Sequence, residues 1–181
     1  MNGAYEAPVP APDGWLVLDP DSQQATLDKW LAADAMVLGR KTYEGLAGVW
    51  PQMTEVPGME AYAARMNGMP KYVASRTLSG DLPWNATVLE GEVAARLIEL
   101  KGEHDGDLIV SGAGELARHL IAEGAVDELW LTVCPYLWGD GPRIFVELGA
   151  VPLELLNATT YSSGAVRLSY RPVPETTSAM G

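Results

Sequence analysis

Cysteine and histidine are scarce in this chain. Cys134 is the only cysteine among 181 residues, and His104 and His119 are the only histidines. A single thiol excludes a disulfide within the chain and any zinc site built on several thiolates. The two histidines lie far apart in the sequence and lack a metal-type spacing, so we expect no metal site.

Positively charged residues are also few. The chain has 12 Lys and Arg against 24 Asp and Glu, which gives a net charge of −12. Such a chain repels nucleic acid and anionic lipid, and we expect neither as a partner. A bound phosphate would need a local basic pocket, which makes the positions of the few cationic residues informative.

Long apolar runs are absent from the sequence. The longest, at residues 125–134, is interrupted by Asp127 and Glu128 and falls short of the ~18 residues of a membrane span. The segment Met1–Pro8 has neither the basic nor the apolar region of a signal peptide, so we expect a cytoplasmic protein. With 48% hydrophobic and 20% charged residues, the composition is typical of a globular domain. We assign residues 1–172 to one domain and 173–181 to a flexible tail.

Short apolar segments alternate with amphipathic ones through the first two thirds of the chain. Strands are predicted at 35–38, 71–75, 87–89 and 107–110, and helices at 23–33, 40–46, 59–66, 92–100 and 114–123. An N-cap signal at Asp21 and Ser22 marks the first helix. The last third predicts strands separated by turns, at 126–135, 143–148, 153–161 and 166–171. This pattern indicates an α/β fold with a mixed, mostly parallel central sheet, flanking helices and an antiparallel C-terminal edge.

Three of the predicted strands end in turns that suit a phosphate group. These turns are Gly39–Glu44, Ser75–Thr77 and Ser111–Gly114. They combine cationic side chains, hydroxyls and glycines with helix N-termini, and ligands of open α/β sheets bind beyond the carboxyl ends of the strands. Each turn alone also fits an ordinary solvated turn, and the fingerprint G-x-G-x-x-G is absent. Their combination favours a nucleotide cofactor.

The order of these motifs resembles the dihydrofolate reductase-like superfamily, and more closely its branch containing the reductase domain of bacterial riboflavin biosynthesis. The similarity extends from about Asn2 to Tyr170 and includes Val126–Leu129, Pro135 and Gly139–Gly141 besides the three turns. It implies a mixed central sheet flanked by helices, NADPH as the hydride donor, and often a homodimer.

The resemblance assigns cofactor contacts by position. The first turn would hold cofactor phosphates, the second would lie beside the adenosine ribose and its 2′-phosphate, and the third would lie under the pyrophosphate and the nicotinamide ribose. Gly139 and Asp140 match a loop that contacts an active-site lid, for which Asn2–Pro12 is the candidate. The candidate cofactor-binding residues are Gly39, Arg40, Lys41, Thr42, Ser75, Arg76, Ser111, Gly112, Ala113 and Gly114.

One departure from the family pattern concerns the substrate. Dihydrofolate reductases carry a carboxylate in the first helix, where this chain has Gln23 at about the matching position. A neutral amide can orient a heterocycle by hydrogen bonds, but it cannot pair with a protonated pterin, so folate reduction is in doubt. Asp21 and Asp28 lie nearby, where helix capping and a solvated face account for them.

A second departure concerns the sheet. In the family a buried strand precedes the turn that Asn2 and Gly3 match, whereas this sequence begins at that turn. Three alternatives stay open: Trp15–Leu18 substitutes for the strand, a partner chain lends one, or the true start lies further upstream.

We therefore expect an NADPH-dependent reductase of a small pterin-, flavin- or pyrimidine-like heterocycle, without an identified proton donor. The candidate pocket residues are Gln23, Tyr43, Trp50 and Tyr136, although the aromatic ones also fit core packing. Two alternatives are a cofactor-binding protein without reductase activity and a stand-alone riboflavin-pathway reductase, for whose substrate phosphate Arg143 is the prominent basic candidate. Six Trp and seven Met residues exceed what one sheet core needs. We expect a homodimer, with Trp130 and Trp138 flanking its antiparallel edge.

Overall fold

The computed structural model describes residues 19–53, 60–112, 114–137, 141 and 143–173. These residues divide into two compact units, one formed by 24–119 and the other by 19–23 with the described residues from 120 onward. Several sequence predictions lie outside the described residues: the Asn2–Pro12 lid, the Trp15–Leu18 strand, Ala113, Trp138, Gly139, Asp140 and the tail from 174. The single-domain assignment stays a prediction.

Five α-helices and eight strands are formed by the described residues. The helices are α1 (Pro20–Ala32), α2 (Arg40–Ala47), α3 (Glu60–Gly68), α4 (Val93–Glu103) and α5 (Glu115–Ala122), with a 3-10 turn at Trp50–Gln52. The strands are β1 (Ala35–Gly39), β2 (Lys71–Ala74), β3 (Asp81–Leu82), β4 (Ala86–Val88), β5 (Leu108–Ser111), β6 (Leu129–Val133), β7 (Leu153–Thr160) and β8 (Val166–Pro172). None of these helices combines the length and apolar character needed to cross a bilayer. The cytoplasmic location stays a prediction.

The unit formed by 24–119 contains a five-stranded sheet in the order β3-β4-β2-β1-β5. β1 runs parallel to β2 and to β5, β2 runs parallel to β4, and only β3 is antiparallel. Residues Ala35 to Leu38 of β1 are fully buried, as expected for a parallel strand covered on both faces. The predicted mixed, mostly parallel sheet is confirmed.

A buried lysine is built into the core of this unit. Lys71 is 1% exposed, and its Nζ donates to the carbonyl oxygens of Met69 at 2.8 Å and Asn67 at 3.2 Å. The same ammonium lies 4.2 Å from the centre of the Trp84 ring. Burial lowers the pKa of Lys71 to about 8. Lys71 thereby ties the C-terminal end of α3 to the turn between β3 and β4.

The second unit contains an antiparallel sheet in the order β6-β8-β7. The antiparallel arrangement of the C-terminal strands is as predicted, but these strands form a sheet of their own. The strand predicted at 143–148 is wrong. Residues 144–147 form a turn, and Glu147 has a φ of 61°, which a strand does not accommodate.

The first helix begins earlier than predicted. Asp19, rather than Asp21 or Ser22, is the N-cap: its Oδ1 accepts a hydrogen bond from the Ser22 amide at 2.8 Å. Pro20 takes the first helical position, where the missing N–H has no cost.

The sequence left open what replaces the first buried strand of the family, and the structure shows that no strand is missing between β1 and β5. β1 and β5 pair directly, with Leu38 opposite Ser111. Among the described strands β5 pairs with β1 alone, and its four residues are only half-buried. Any further strand of this sheet would therefore pair with the edge of β5 that faces away from β1.

Candidate cofactor site

The three turns identified in the sequence meet at one edge of the five-stranded sheet. β2, β1 and β5 are adjacent and parallel, with Gly39 opposite Ala74 and Leu38 opposite Ser111. Because neighbouring strands lie about 4.8 Å apart, the turns that follow them are also neighbours. Gly39 ends β1, the middle strand, and Arg40 to Thr42 follow it. Ser75 and Arg76 follow β2, and Gly112 and Gly114 follow β5.

Gly112 and Thr42 are in close proximity across two of these turns. A β-carbon built on Gly112 would lie 3.3 Å from the Thr42 Oγ1, and the φ of Gly112 is 109°. Both the left-handed backbone and the neighbouring hydroxyl therefore favour glycine at position 112. The glycine turn and the first turn form one continuous surface.

The N-terminus of α2 is suited to an anion. Its N-cap, Gly39, supplies no side-chain hydrogen bond, and no acidic residue occupies the first turn of the helix. The first amide groups of an α-helix lack intrahelical partners and attract negative charge. Arg40 and Lys41 are exposed in this first turn and add positive charge.

The three cations at this edge differ in how they are paired. The Arg40 guanidinium forms an ion pair with Glu44 Oε1 at 3.1 Å, one helical turn away. Lys41 and Arg76 are exposed and form no ion pair with another residue in the described part of the chain. Lys41 and Arg76 therefore have more of their charge available to a ligand than Arg40 has.

Ser75 shapes the turn that carries Arg76. Its Oγ accepts hydrogen bonds from the amides of Thr77 at 3.2 Å and Leu78 at 3.0 Å. A hydroxyl that holds the backbone in this way fixes the direction in which the turn leaves β2.

Tyr43 and Trp50 have the contacts of core side chains. Tyr43 is 6% exposed, its hydroxyl donates to the Pro83 carbonyl at 2.9 Å, and burial raises the pKa of this tyrosine. Trp50 is half-buried and packs edge-to-face on Tyr62, with 5.2 Å between ring centres.

The other two predicted pocket residues belong to the second unit. Gln23 is exposed on α1. Tyr136 is half-buried and lines a shallow apolar cavity of about 290 Å³ together with Cys134, Pro135 and Val166.

Asp19 is the buried carboxylate that the sequence analysis missed. It is 7% exposed, and its Oδ2 accepts a hydrogen bond from the Ser163 hydroxyl at 2.6 Å. This hydrogen bond is the largest cause of the lowered pKa of Asp19. Because Oδ1 caps α1, both oxygens are engaged within the protein. The dipeptide Asp19-Pro20, an N-cap residue before a proline, is the signal that could have identified it.

The described residues contain no group of three or more His, Cys, Asp or Glu side chains that could hold a metal ion. The C-terminal ends of β2, β1 and β5 present backbone amides, a glycine surface and three exposed cations, of which Arg40 is paired with Glu44, and this combination is suited to an anion.

Comparison with known proteins connects the chain to a family. The model of the RibD C-terminal domain matches residues 11–167. Two uncharacterized proteins of Bacillus subtilis strain 168 are similar to this chain. YyaP is 28% identical to it over 158 residues, which cover 86% of this chain and 82% of YyaP. YwjB is 27% identical over 143 residues, covering 79% of this chain and 76% of YwjB.

Solved structures share the fold at low sequence identity. A Shewanella sp. PV-4 protein named for riboflavin biosynthesis has a TM-score of 0.70 at 19% identity, covering 94% of this chain and 93% of that protein. RibD of Acinetobacter baumannii has a TM-score of 0.64 at 14% identity, covering 96% of this chain but 55% of RibD. A pyrimidine reductase-like protein of Corynebacterium diphtheriae has a TM-score of 0.55 at 14% identity, covering 86% of this chain and 82% of that protein.

The predicted resemblance to the riboflavin-biosynthesis branch of the dihydrofolate reductase-like fold is thus confirmed, and the chain belongs to the RibD C-terminal domain family.

Proposed function

We propose that this protein is an NADPH-dependent reductase of a small heterocycle of pterin, flavin or pyrimidine type. Membership of a reductase-like family supports the reaction class. The observation that carries the cofactor assignment is the convergence of three phosphate-suited turns at the carboxyl ends of β2, β1 and β5.

The residues at this edge fit a dinucleotide phosphate. The uncapped amides of α2 and the exposed Lys41 bind anionic oxygens. A β-carbon on Gly112 would lie 3.3 Å from Thr42 Oγ1, and the glycine leaves this surface open to the close approach of a pyrophosphate. When bound, NADPH supplies the hydride from its nicotinamide ring, and the protein supplies binding and orientation.

Arg76 is the residue that we assign to the 2′-phosphate. It is exposed, it lies in a turn held by the Ser75 hydroxyl, and it forms no ion pair among the described residues. A guanidinium binds phosphate through paired hydrogen bonds, so Arg76 would distinguish NADPH from NADH.

A second candidate function is binding of NADPH without substrate reduction. Helix α1 favours this alternative. Its Gln23 is neutral and exposed, and Asp19, the buried carboxylate at its N-cap, has both oxygens engaged by Ser22 and Ser163. Neither residue is a ready proton donor to a bound heterocycle.

Two measurements test the proposal. Titration with NADPH and with NADH, followed by protein fluorescence, should show tighter binding of NADPH. Loss of nicotinamide absorbance in the presence of pterins, flavins and aminopyrimidines then reports reduction. Binding without turnover on every compound would favour the second candidate, and absence of binding would reject both.

A further inference from the structure

A single carboxylate lies among the cations of the first turn and its helix. Glu44 is the only Asp or Glu from residue 35 to residue 54, in a chain with 24 acidic residues. It follows Arg40 by one turn of α2, and Arg40 Nη1 donates to both of its oxygens, to Oε1 at 3.1 Å and to Oε2 at 3.4 Å. The one negative charge of this segment is thus directed at a cation that we assign to the cofactor.

Helix stability does not account for this ion pair. In an α-helix the stabilising order places the acidic residue before the basic one, and here Arg40 precedes Glu44. Arg40 also occupies the first helical position, where the helix dipole disfavours a positive charge. The two side chains are 43% and 47% exposed, and an exposed ion pair contributes little to the stability of a fold.

The backbone of α2 is fixed, whereas the two charged side chains have room to move. Tyr43, between them in the sequence, is 6% exposed and donates from its hydroxyl to the Pro83 carbonyl at 2.9 Å. Beside Glu44, a β-carbon built on Gly45 would meet nothing within 4 Å, so the neighbouring surface is open. Exchange of the Arg40 partner therefore requires only rotation of exposed side chains and no movement of the helix.

The direction of the side chains brings Arg40 within reach of both partners. Side chains of an α-helix lean toward its N-terminus. Arg40, at the first position, can therefore extend beyond the end of α2, where its uncapped amides are suited to an anion. Glu44 leans toward Arg40 from one turn further along, and the ion pair draws the guanidinium back along the helix.

A phosphate at this helix end would compete with Glu44 for the same guanidinium. Carboxylates and phosphates bind to guanidinium groups through the same N–H donors. A phosphate gains the amides of α2 and the exposed Lys41 in addition to Arg40, so it is the stronger partner. Glu44 opposes its binding in two ways, because it occupies Arg40 in the free protein and repels the negative charge of the ligand afterwards.

We propose that Glu44 limits the affinity of the cofactor site by competing with the cofactor phosphate for Arg40. The identity of the ligand as NADPH rests on the proposed function, whereas the competition applies to any phosphate-bearing ligand that binds at the N-terminus of α2. Glu44 is accordingly an affinity-determining residue that a bound cofactor need not touch.

Calorimetric titration of Glu44→Gln with NADPH tests the proposal, since this change removes the charge and keeps the size of the side chain. We expect the dissociation constant to fall about threefold to tenfold, the range that the loss of an exposed ion pair supports. The gain should disappear when Glu44→Gln is introduced into Arg40→Ala, because the competition then has no object. Glu99→Gln removes the same charge from an exposed ion pair on α4 and should leave binding unchanged.

Titration with inorganic pyrophosphate separates the competition from the NADPH assignment. Tighter binding of pyrophosphate by Glu44→Gln, without NADPH binding in either protein, would retain the competition and reject the proposed function. NADPH binding that is equal in the wild type and Glu44→Gln would reject the competition and leave the proposed function intact. An equal gain with and without Arg40 would also overturn it, as would failure of both proteins to bind either ligand. Far-UV circular dichroism checks that α2 is formed, and Glu44→Ala should reproduce the gain.

Discussion

The Glu92 carboxylate joins two helices. Its oxygens accept hydrogen bonds from the amides of Ala94 at 3.1 Å and Ala95 at 2.7 Å, which caps α4, and His119 Nε2 of α5 lies 2.8 Å from Oε1. The backbone hydrogen bonds from Ala95 and Ala94, followed by the one with His119, lower the pKa of Glu92 from 4.5 to about 2.

This cap predicts acid-sensitive stability. Because the pKa of Glu92 is lower in the folded state, its contribution is present above pH 4.5 and is lost as the pH falls toward 2. Glu92→Gln should lower the melting temperature at neutral pH, and its difference from the wild type should shrink over this acid range. Glu99→Gln, on the same helix, is the control, since Glu99 is an exposed partner of Arg96. A constant difference at all pH values would contradict the prediction.

Arg76→Ala should weaken NADPH binding about tenfold to a hundredfold, the range of a lost charged hydrogen bond, and should leave NADH binding unchanged. Arg40→Ala should have a smaller effect, since Arg40 is paired with Glu44. Calorimetric titration of both cofactors measures this. Arg96→Ala removes the same charge from α4, where Arg96 pairs with Glu99 and Glu103, and controls for net charge. Equal losses for both cofactors would remove the 2′-phosphate assignment.

Two glycine variants separate the backbone requirement from the cofactor requirement. Gly112→Ala should destabilise the fold by about 1 to 2 kcal/mol, because of its positive φ and the Thr42 contact, and should also impair NADPH binding. At Gly114 a β-carbon would meet nothing within 4 Å, so Gly114→Ala should melt like the wild type. Weaker NADPH binding by well-folded Gly114→Ala would indicate close approach of the cofactor. Unchanged binding in both variants would assign the glycines to the turn alone.

The lowered pKa of the buried Lys71 predicts that the folded protein becomes more stable at alkaline pH. Its pKa is about 8 in the folded state against 10.5 ordinarily, so the unfolded chain binds more protons between these values. The free energy of unfolding should therefore increase by up to about 3 kcal/mol from pH 8 to 10.5 relative to Lys71→Met, which has no titrating amine. Urea unfolding at several pH values measures the two slopes. Identical slopes would mean that Lys71 titrates normally.

Much of the central sheet follows from simple patterns. The apolar run from Ala35 to Leu38 ends at Gly39 and predicts a buried strand, and strand–helix alternation predicts parallel neighbours with their turns at one edge. The convergence of the three turns could therefore be foreseen, although binding by these residues stays a prediction.

Other features depend on contacts that the sequence does not display. Ile144, Val146 and Leu148 alternate as in a strand, but the left-handed Glu147 makes this segment a turn. Two-residue β3 is too short to give a periodic signal. The burial of Lys71 depends on the carbonyl oxygens of Asn67 and Met69 at the end of α3, which no local pattern displays.

The order of β2, β1 and β5 has a consequence for folding. The paired residues Leu38 and Ser111 are far apart in the sequence, so the sheet edge exists only after long loops have closed. Loop closure costs entropy before any contact compensates for it, and parallel pairing is correspondingly slow. During refolding, nucleotide binding should therefore appear later than the helical signal. The binding of the cofactor then reports when β2, β1 and β5 have paired in their native register.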